Sequence, residues 1–454
     1  MYRVRILEAL VFLAMAIPVL AEEKVASDAI FDDMENDRQV VKAEVALLPE
    51  SKSEFATRMA WFTEARYGMF IHFGPYALYG GEYKGKPTPR YAEWILCNGK
   101  IPKGEYEENS LRFNPIHWDA EKIVTTAKQA GMKYIVITTK HHDGFCLWDA
   151  PGTDYDFTST PFKRDLLQEL ADSCHKHGIR FGTYYSILDW HHPTQDNGPI
   201  VSGQPSVSDP EKQQEYIAYM KAQLKDLIDR YDTDIIWFDG DWMHWWTMDM
   251  GTDLYNYLRE LKPSIIINNR VSKRKYFKLD FGTPEQVKLG KPVSYLWESC
   301  YTINHSWGFK KRDTKWKSSR TILEDLVDIN SKGGNYLLNI GPRADGTVPP
   351  ASVKVLLDAG KWVHANADAI YGTEPPALPP QPWGRITRNG NRYFLHVFKM
   401  PAGQKIIVKG LSGEVVTVSE GVSHHAVPQG IAFDLQHMQK DALITVVAVE
   451  IRKP

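Results

Sequence analysis

An α/β fold is predicted: a (β/α)8-like barrel, TIM-like or distorted, followed by a small C-terminal β-sandwich. Three observations predict it. From Gly68 the chain repeats one unit, an apolar strand, a polar or aromatic loop, then a helix closing on glycine or proline. The run Asp234-Ile-Ile-Trp-Phe-Asp-Gly-Asp-Trp242 is an apolar strand ending abruptly in a carboxylate, where parallel βα architectures place their chemistry. Beyond the stiff connector Glu374-Pro-Pro-Ala-Leu-Pro-Pro380 the pattern becomes purely β.

Taken in order, residues 1–21 read as an export signal: Arg3 and Arg5, then a largely apolar run, then Val19-Leu-Ala21 with small residues before a cleavage point. The mature chain is expected to start near Glu22 and to be periplasmic or extracellular. Glu8 inside the apolar run is unusual for a signal and leaves an uncleaved anchor as the alternative, although the run is short for a membrane span. Residues 22–53 are charged and aperiodic and predict a poorly ordered lead-in. The barrel is expected over 54–373, with strands at 69–73, 134–139, 180–186, 234–239, 264–268, 294–298 and 336–340. Gly131, Gly178 and Pro263 close helices before strands. Leu166, Leu167, Leu170, Ala171 and Cys174 have the spacing of one buried helix face. Seven strands are counted where eight close a regular barrel, so one is irregular or the barrel is distorted. The connector is placed at 374–382 and the sandwich at 383–454. There Asn389-Gly390 signals a tight turn and 393–399, 405–409, 415–418 and 442–451 read as strands, a domain expected to brace the barrel.

Lys plus Arg (54) nearly balance Asp plus Glu (56), which removes the electrostatic case for nucleic acid or an anionic membrane surface. With 14 Trp and 22 Tyr there is material for platforms against the apolar faces of sugars. Cys97, Cys146, Cys174 and Cys300 are far apart and unpaired in pattern, so neither a disulfide framework nor a zinc knuckle is indicated; all four are expected in the core.

The polar groups gather after successive strands: His72 and then Glu93-Trp94, Lys140-His-His-Asp-Gly-Phe145, Tyr184-Tyr-Ser186 with Asp189-Trp-His-His192, Asp239, Asn268-Asn-Arg270, Glu285 and Glu298. Converging donors, carboxylates and tryptophans suit a ligand with several hydroxyls. Asp239, walled by Trp237 and Trp242, is either a sugar-cleaving nucleophile or a structural aspartate paired with a buried cation. Asp241 reads by default as a solvated loop acid. His141, His142, His191 and His192, with Asp143 or Asp239, also admit a barrel metallohydrolase. Against that, adjacent histidines on a strand face opposite ways, and no His-x-His or His-Glu-x-x-His spacing occurs.

Together these motifs resemble the α-L-fucosidases of glycoside hydrolase family 29. The matching pieces are Ala65-Arg-Tyr-Gly-Met-Phe-Ile-His-Phe-Gly74, Lys140-His-His-Asp-Gly-Phe145, Gly182-Thr-Tyr-Tyr-Ser186, Trp237-Phe-Asp239, Trp297-Glu298 with Ser306-Trp-Gly308, and Ser331-Lys-Gly-Gly-Asn-Tyr-Leu-Leu-Asn-Ile-Gly-Pro342. The resemblance implies a retaining exo-glycosidase acting on terminal α-L-fucose of an oligosaccharide or glycoconjugate, without cofactor or metal. It implies Asp239 as nucleophile, and His72, Glu93, Trp94, His141, His142, Tyr185, Trp237 and Arg270 as fucose-binding residues. The acid/base is left between Glu285, matching some members, and Glu298, matching a subfamily selective for branched fucosides; the general motifs favour Glu285. The alternatives are that branched-linkage (α-1,3/1,4) enzyme, or a non-catalytic fucose-binding protein on the same scaffold. Oligomeric state is not legible.

Overall fold

The computed structural model describes residues 45–195, 207–275 and 279–452; the signal and the lead-in as far as residue 44 lie outside the described residues. Helix α1 (Lys52–Ala65) begins with a capping box, in which the Ser51 hydroxyl accepts from Glu54 N and the Glu54 carboxylate accepts from Ser51 N. Order therefore starts ahead of the boundary expected at residue 54. The charged residues there are paired rather than solvated: Glu50 is gripped by Arg58 and Arg259, and the backbone amides of Val45 and Leu48 donate to Asp249 and Asn256. The buried face of α1, Met59, Phe62 and Ala65, floors the barrel, with Phe62 against Tyr134 and Phe281.

Seven parallel strands follow: β1 (Tyr67–Ile71), β2 (Tyr134–Lys140), β3 (Arg180–Ser186), β4 (Ile235–Asp239), β5 (Ile266–Ile267), β6 (Glu298–Thr302) and β7 (Asn335–Ile340), curled in the order β5-β4-β3-β2-β1-β7-β6. Helices α2 (Ala120–Gln129), α3 (Leu166–His177), α4 (Pro210–Tyr231), α5 (Met248–Leu261), α6 (Ser319–Asn330) and α7 (Pro350–Ala365) cover the outside. Period-two alternation sorts the strands. Phe70, Tyr134, Val136, Tyr184, Ile235, Trp237 and Leu337 fill the interior, whereas Met69, Ile135, Tyr185, Ile236, Phe238 and Leu338 pack under the helices. At Gly68 an added Cβ would lie 2.4 Å from the Tyr134 ring, so only glycine fits the narrow floor.

The missing eighth stave is an irregular segment, 281–286. Phe281 bridges Asn268 after β5, while Gly282 and Glu285 bridge Trp297 and Cys300 on the β6 side. Pro284 has no N–H to give, which breaks the ladder into isolated contacts. The strand expected at 294–298 lies instead at Glu298–Thr302, in register with Asn335–Asn339 of β7. Glu298 is thus the first residue of β6 and sits toward the barrel floor, the opposite end from the one expected.

The last residues form two antiparallel sheets. One has the order β8 (Gly384–Asn389), β9 (Arg392–Val397), β14 (Thr445–Arg452), β11 (Glu414–Val418). The other has β10 (Lys405–Lys409), β13 (Gly430–Asp434), β12 (Ser423–Val427). Leu395, Ile406, Val408, Phe433, Val447 and Val449 close the space between them. The sandwich is joined to the barrel helices by polar contacts: Arg385 Nε to Asp328 Oδ1 at 2.5 Å, Trp362 Nε1 to Ile444 O at 2.7 Å, and Arg320 to the carbonyls of Phe398 and Leu443. No helix of the described residues is long and apolar enough to cross a membrane.

Candidate active site

Alternation along β4 turns Ile235, Trp237 and Asp239 into the barrel, and the register with β3 sets Tyr184 beside Trp237 and Ser186 beside Asp239. On β2 a register shift between Thr138 and Lys140 re-aims the strand end. Lys140 is thrown outward onto the Tyr185 ring and into an ion pair with Asp189, at 2.7 Å. His141 and His142, just past the strand, both turn inward with ring centroids 4.1 Å apart. The rule that neighbouring histidines face opposite ways fails here because both lie beyond the last strand residue. His191 and His192 are engaged elsewhere, on Glu107 and Thr194, and among the described residues no three His, Cys, Asp or Glu side chains gather into a metal-ligand set.

Asp239 lies in a cage of donors. Arg270 Nη1 donates to its Oδ1 at 2.8 Å, Arg274 Nη2 to the same oxygen at 3.0 Å, and Tyr184 Oη to Oδ2 at 3.2 Å; His142 Nε2 is 3.9 Å from Oδ2. Burial by itself would raise the Asp239 pKa, but the charges of Arg270 and then Arg274 outweigh it and hold the carboxyl well below the usual range. It is therefore ionised at neutral pH, and acid has to overcome both cations to protonate it. Asp241 is no solvated loop acid: it is buried, taking Arg274 Nε at 2.8 Å and Arg274 N at 3.1 Å, and so anchors the second cation.

The two candidate acids have different surroundings. Glu285 Oε2 accepts from Arg270 Nη2 at 3.1 Å, so one guanidinium touches both it and Asp239, and its side chain keeps 21% exposure. Glu298 is sealed beneath Trp237: its Oε1 accepts from Trp237 Nε1 at 2.9 Å and its Oε2 from the Tyr134 hydroxyl. Burial pushes the Glu298 pKa up to about 7 against those donors. For an acid raised in this way, its contribution to stability is fully present below the ordinary value of 4.5 and is lost as pH rises through 7. By pH 8 the loss is on the order of 3 kcal/mol. Glu298→Gln has no such loss, so its Tm relative to the parent should rise from pH 5 to pH 8; a constant gap would mean that Glu298 carries no excess proton.

Around the carboxylates stand neutral imidazoles. Asn339 Nδ2 donates to Trp307 O, which leaves its Oδ1 to accept from His72 Nδ1 at 2.7 Å; His142 Nδ1 likewise donates to Ser186 Oγ, which itself donates to Leu188 O. The second nitrogen of each ring is then a bare acceptor. Burial lowers His72 to about 3 and His142 to about 4, and His141 falls below its ordinary value for the same reason. Glu93 Oε2 accepts from Gly308 N at 2.8 Å, and burial raises its pKa to about 7. Glu93 Oε1 and His141 Nδ1 have no hydrogen-bond partner within the protein. Trp94 stacks on Trp242 at 6.4 Å, and Trp237 carries the Arg270 guanidinium over its face at 4.5 Å.

Tyr185 is not with them. Its side chain points outward, its hydroxyl donating to Gln223 Oε1 of α4 at 2.7 Å, because strand alternation gives the inward position to Tyr184. Tyr184→Phe should therefore lower kcat/KM roughly 10-fold, whereas Tyr185→Phe should change it less than about 2-fold and cost about 1 kcal/mol of stability. Steady-state kinetics and thermal unfolding of the pair check this; the reverse ranking would restore Tyr185. Besides Tyr184, sequence reasoning passed over Arg274, Asn339 and Trp307. Trp307 lies in the run Ser306-Trp-Gly308 and Asn339 in the run from Ser331 to Pro342, and Arg274 had a signal in the unmatched charge of Asp241. The His72–Asn339 pair had none, since β1 and β7 lie at opposite ends of the barrel sequence.

The assembly can hold one carboxylate ionised against a reacting centre with a second carboxyl on the same cation, among neutral acceptors and aromatic walls. The sequence profile of the α-L-fucosidases matches residues 35–368. The chain belongs to the α-L-fucosidase family. This fucosidase is 33% identical over 341 residues to the tissue α-L-fucosidase of Bos taurus, covering 70% of this chain and 69% of that one. To the tissue α-L-fucosidase of Homo sapiens it is 32% identical over 342 residues, covering 70% of each. Among solved structures, α-L-fucosidase isoenzyme 1 from Paenibacillus thiaminolyticus aligns with a TM-score of 0.79 at 34% identity, over 88% of this chain and 100% of that one. A family 29 fucosidase of Bacteroides thetaiotaomicron, trapped as a covalent intermediate with 2-fluoro-fucosyl fluoride, aligns with a TM-score of 0.79 at 28% identity, over 90% and 98%. The chain is accordingly an α-L-fucosidase of glycoside hydrolase family 29, with the TIM-like barrel and C-terminal β domain of that group.

Proposed function

We propose that this fucosidase is a retaining exo-glycosidase that removes terminal α-L-fucose from fucosylated oligosaccharides or glycoconjugates outside the cytoplasm. In this reading Asp239 attacks the anomeric carbon and forms a fucosyl ester while Glu285 protonates the departing oxygen; Glu285 then takes a proton from the water that releases fucose. The observation that carries it is the Arg270 guanidinium, which bridges Asp239 and Glu285 and keeps them within its own span. That is the scale a retaining pair requires, roughly 5 Å. Glu298 is disfavoured because both its oxygens are taken, deep below the sugar-binding layer.

The unpartnered Glu93 Oε1 and His141 Nδ1, with the bare nitrogens of His72 and His142, offer a set of polar sites suited to ring hydroxyls. Trp94, Trp237 and the other rings suit the C6 methyl that distinguishes fucose from galactose. The similarity to a fucosidase trapped as a covalent intermediate supports the two-step route. Export rests on the basic and apolar stretch of residues 1–21. The deciding experiment follows an aryl α-L-fucoside by proton NMR during early turnover. The first sugar formed should be α-L-fucose, mutarotating later; β-L-fucose appearing first would overturn the retaining mechanism.

A further inference from the structure

Arg270 is 1% exposed and serves two carboxylates, so its orientation matters as much as its charge. A guanidinium is planar, and fixing its Nε–H direction fixes where both terminal nitrogens point. Here Nε donates to Thr283 Oγ1 at 2.8 Å, and Nη2 donates both to Glu285 and to the carbonyl of Thr283 at 3.2 Å. The Thr283 hydroxyl is itself aimed: it donates to Asn269 Oδ1 at 2.9 Å, which leaves its lone pairs for Arg270. Asn269 Nδ2 reaches the Arg274 carbonyl at 3.4 Å, tying in the second cation on Asp239.

We propose that Thr283, oriented by Asn269, is a positioning residue for fucoside hydrolysis: it locks the Arg270 guanidinium in the one in-plane orientation that grips Asp239 and Glu285 together. This rests on the roles given above to those two carboxylates. Thr283 touches neither carboxylate and acts only through Arg270. Thr283 also lies in the irregular stave two residues before Glu285, so the same residue aligns the cation and the backbone that carries the acid.

The test is Thr283→Val, close in shape but without the acceptor, beside Thr283→Ser, which keeps it. Thr283→Val should lower kcat/KM on an aryl α-L-fucoside by on the order of 10- to 100-fold, the factor expected when a hydrogen bond to a charged group is lost. It should also move the acidic limb of the kcat/KM–pH profile upward. Asp239 faces Arg270, Arg274, His142 and Tyr184, and of these only the grip of Arg270 is loosened. Thr283→Ser should restore both the rate and the limb. A role confined to folding would lower Tm and leave the acidic limb where it is. If Thr283→Val does not fold, Asn269→Ser, which frees the Thr283 hydroxyl to turn, should shift the limb the same way. A Thr283→Val enzyme within about 3-fold of the parent with an unmoved limb would overturn the proposal. Loss of turnover in Asp239→Gly alongside that result would leave the assigned carboxylate roles standing, whereas an active Asp239→Gly would remove the reading on which the proposal rests.

Discussion

Asp239→Gly should lower kcat/KM for an aryl α-L-fucoside by at least about 10⁴-fold, roughly 5–6 kcal/mol of transition-state stabilisation. The physical reason is that, among the described residues, Asp239 is the carboxylate held ionised by both Arg270 and Arg274, whereas Glu285 sits on Arg270 and Asp241 on Arg274. Of the groups in contact with Asp239, Arg270 and Arg274 are cations and Tyr184 has its pKa driven up by burial and stays a neutral phenol, while His142 nearby is tied to Ser186. Adding azide should recover a large part of the rate, because a small anion can occupy the space left beside Arg270 and Arg274, and the product should be β-L-fucosyl azide, from a single inversion. Removing the carboxylate leaves two buried guanidinium groups short of a partner, so a drop in Tm is expected and folding must be checked by circular dichroism. Near-normal hydrolysis by a folded Asp239→Gly enzyme would exclude Asp239 as nucleophile.

Glu285→Ala should separate substrates by leaving group. For an alkyl fucoside, whose departing oxygen needs a proton, the rate should fall about 10³-fold, within the usual range for general acid catalysis. For a dinitrophenyl fucoside the fall in fucosyl-enzyme formation should be under about 10-fold, because that oxygen leaves as a stable anion. The comparison is made under single-turnover conditions, so that the slower hydrolysis step does not mask the first. Glu298→Gln should show no such selectivity. If it does and Glu285→Ala does not, the two glutamates exchange roles.

Much of this site was legible in the sequence because strand alternation is a local rule. The run ending at Asp239 announced its strand and the carboxylate at its C-terminal end, and the βα repeat announced the parallel barrel. The failures have equally local causes. Tyr184 and Tyr185 are adjacent and chemically identical, so only the register with β4 decides which faces inward. The apolar residues before Glu298 look like a strand, yet pairing with β7 begins only at Glu298, a long-range fact. The eighth stave was invisible because Pro284 interrupts its ladder. The buried partners of Asp241 and of the residues just before α1 lie far away in sequence, so those charges looked solvated.

The way the barrel closes also sets when it can be finished. β1 is held on one side by β2 and on the other by β7, with Tyr67 beside Tyr336, and α1 is fastened by Arg58 to Asp280 and to the carbonyl of Ile265. An emerging chain therefore carries its earliest strand half-paired and its floor helix without an anchor until most of the polypeptide has been made. Contacts that span so much of the chain are formed against a large loop-closure cost, so completion should be a late and slow event. A chain that stays open that long remains threadable, which is compatible with the export proposed above, and is also the form most exposed to aggregation and proteases before it closes.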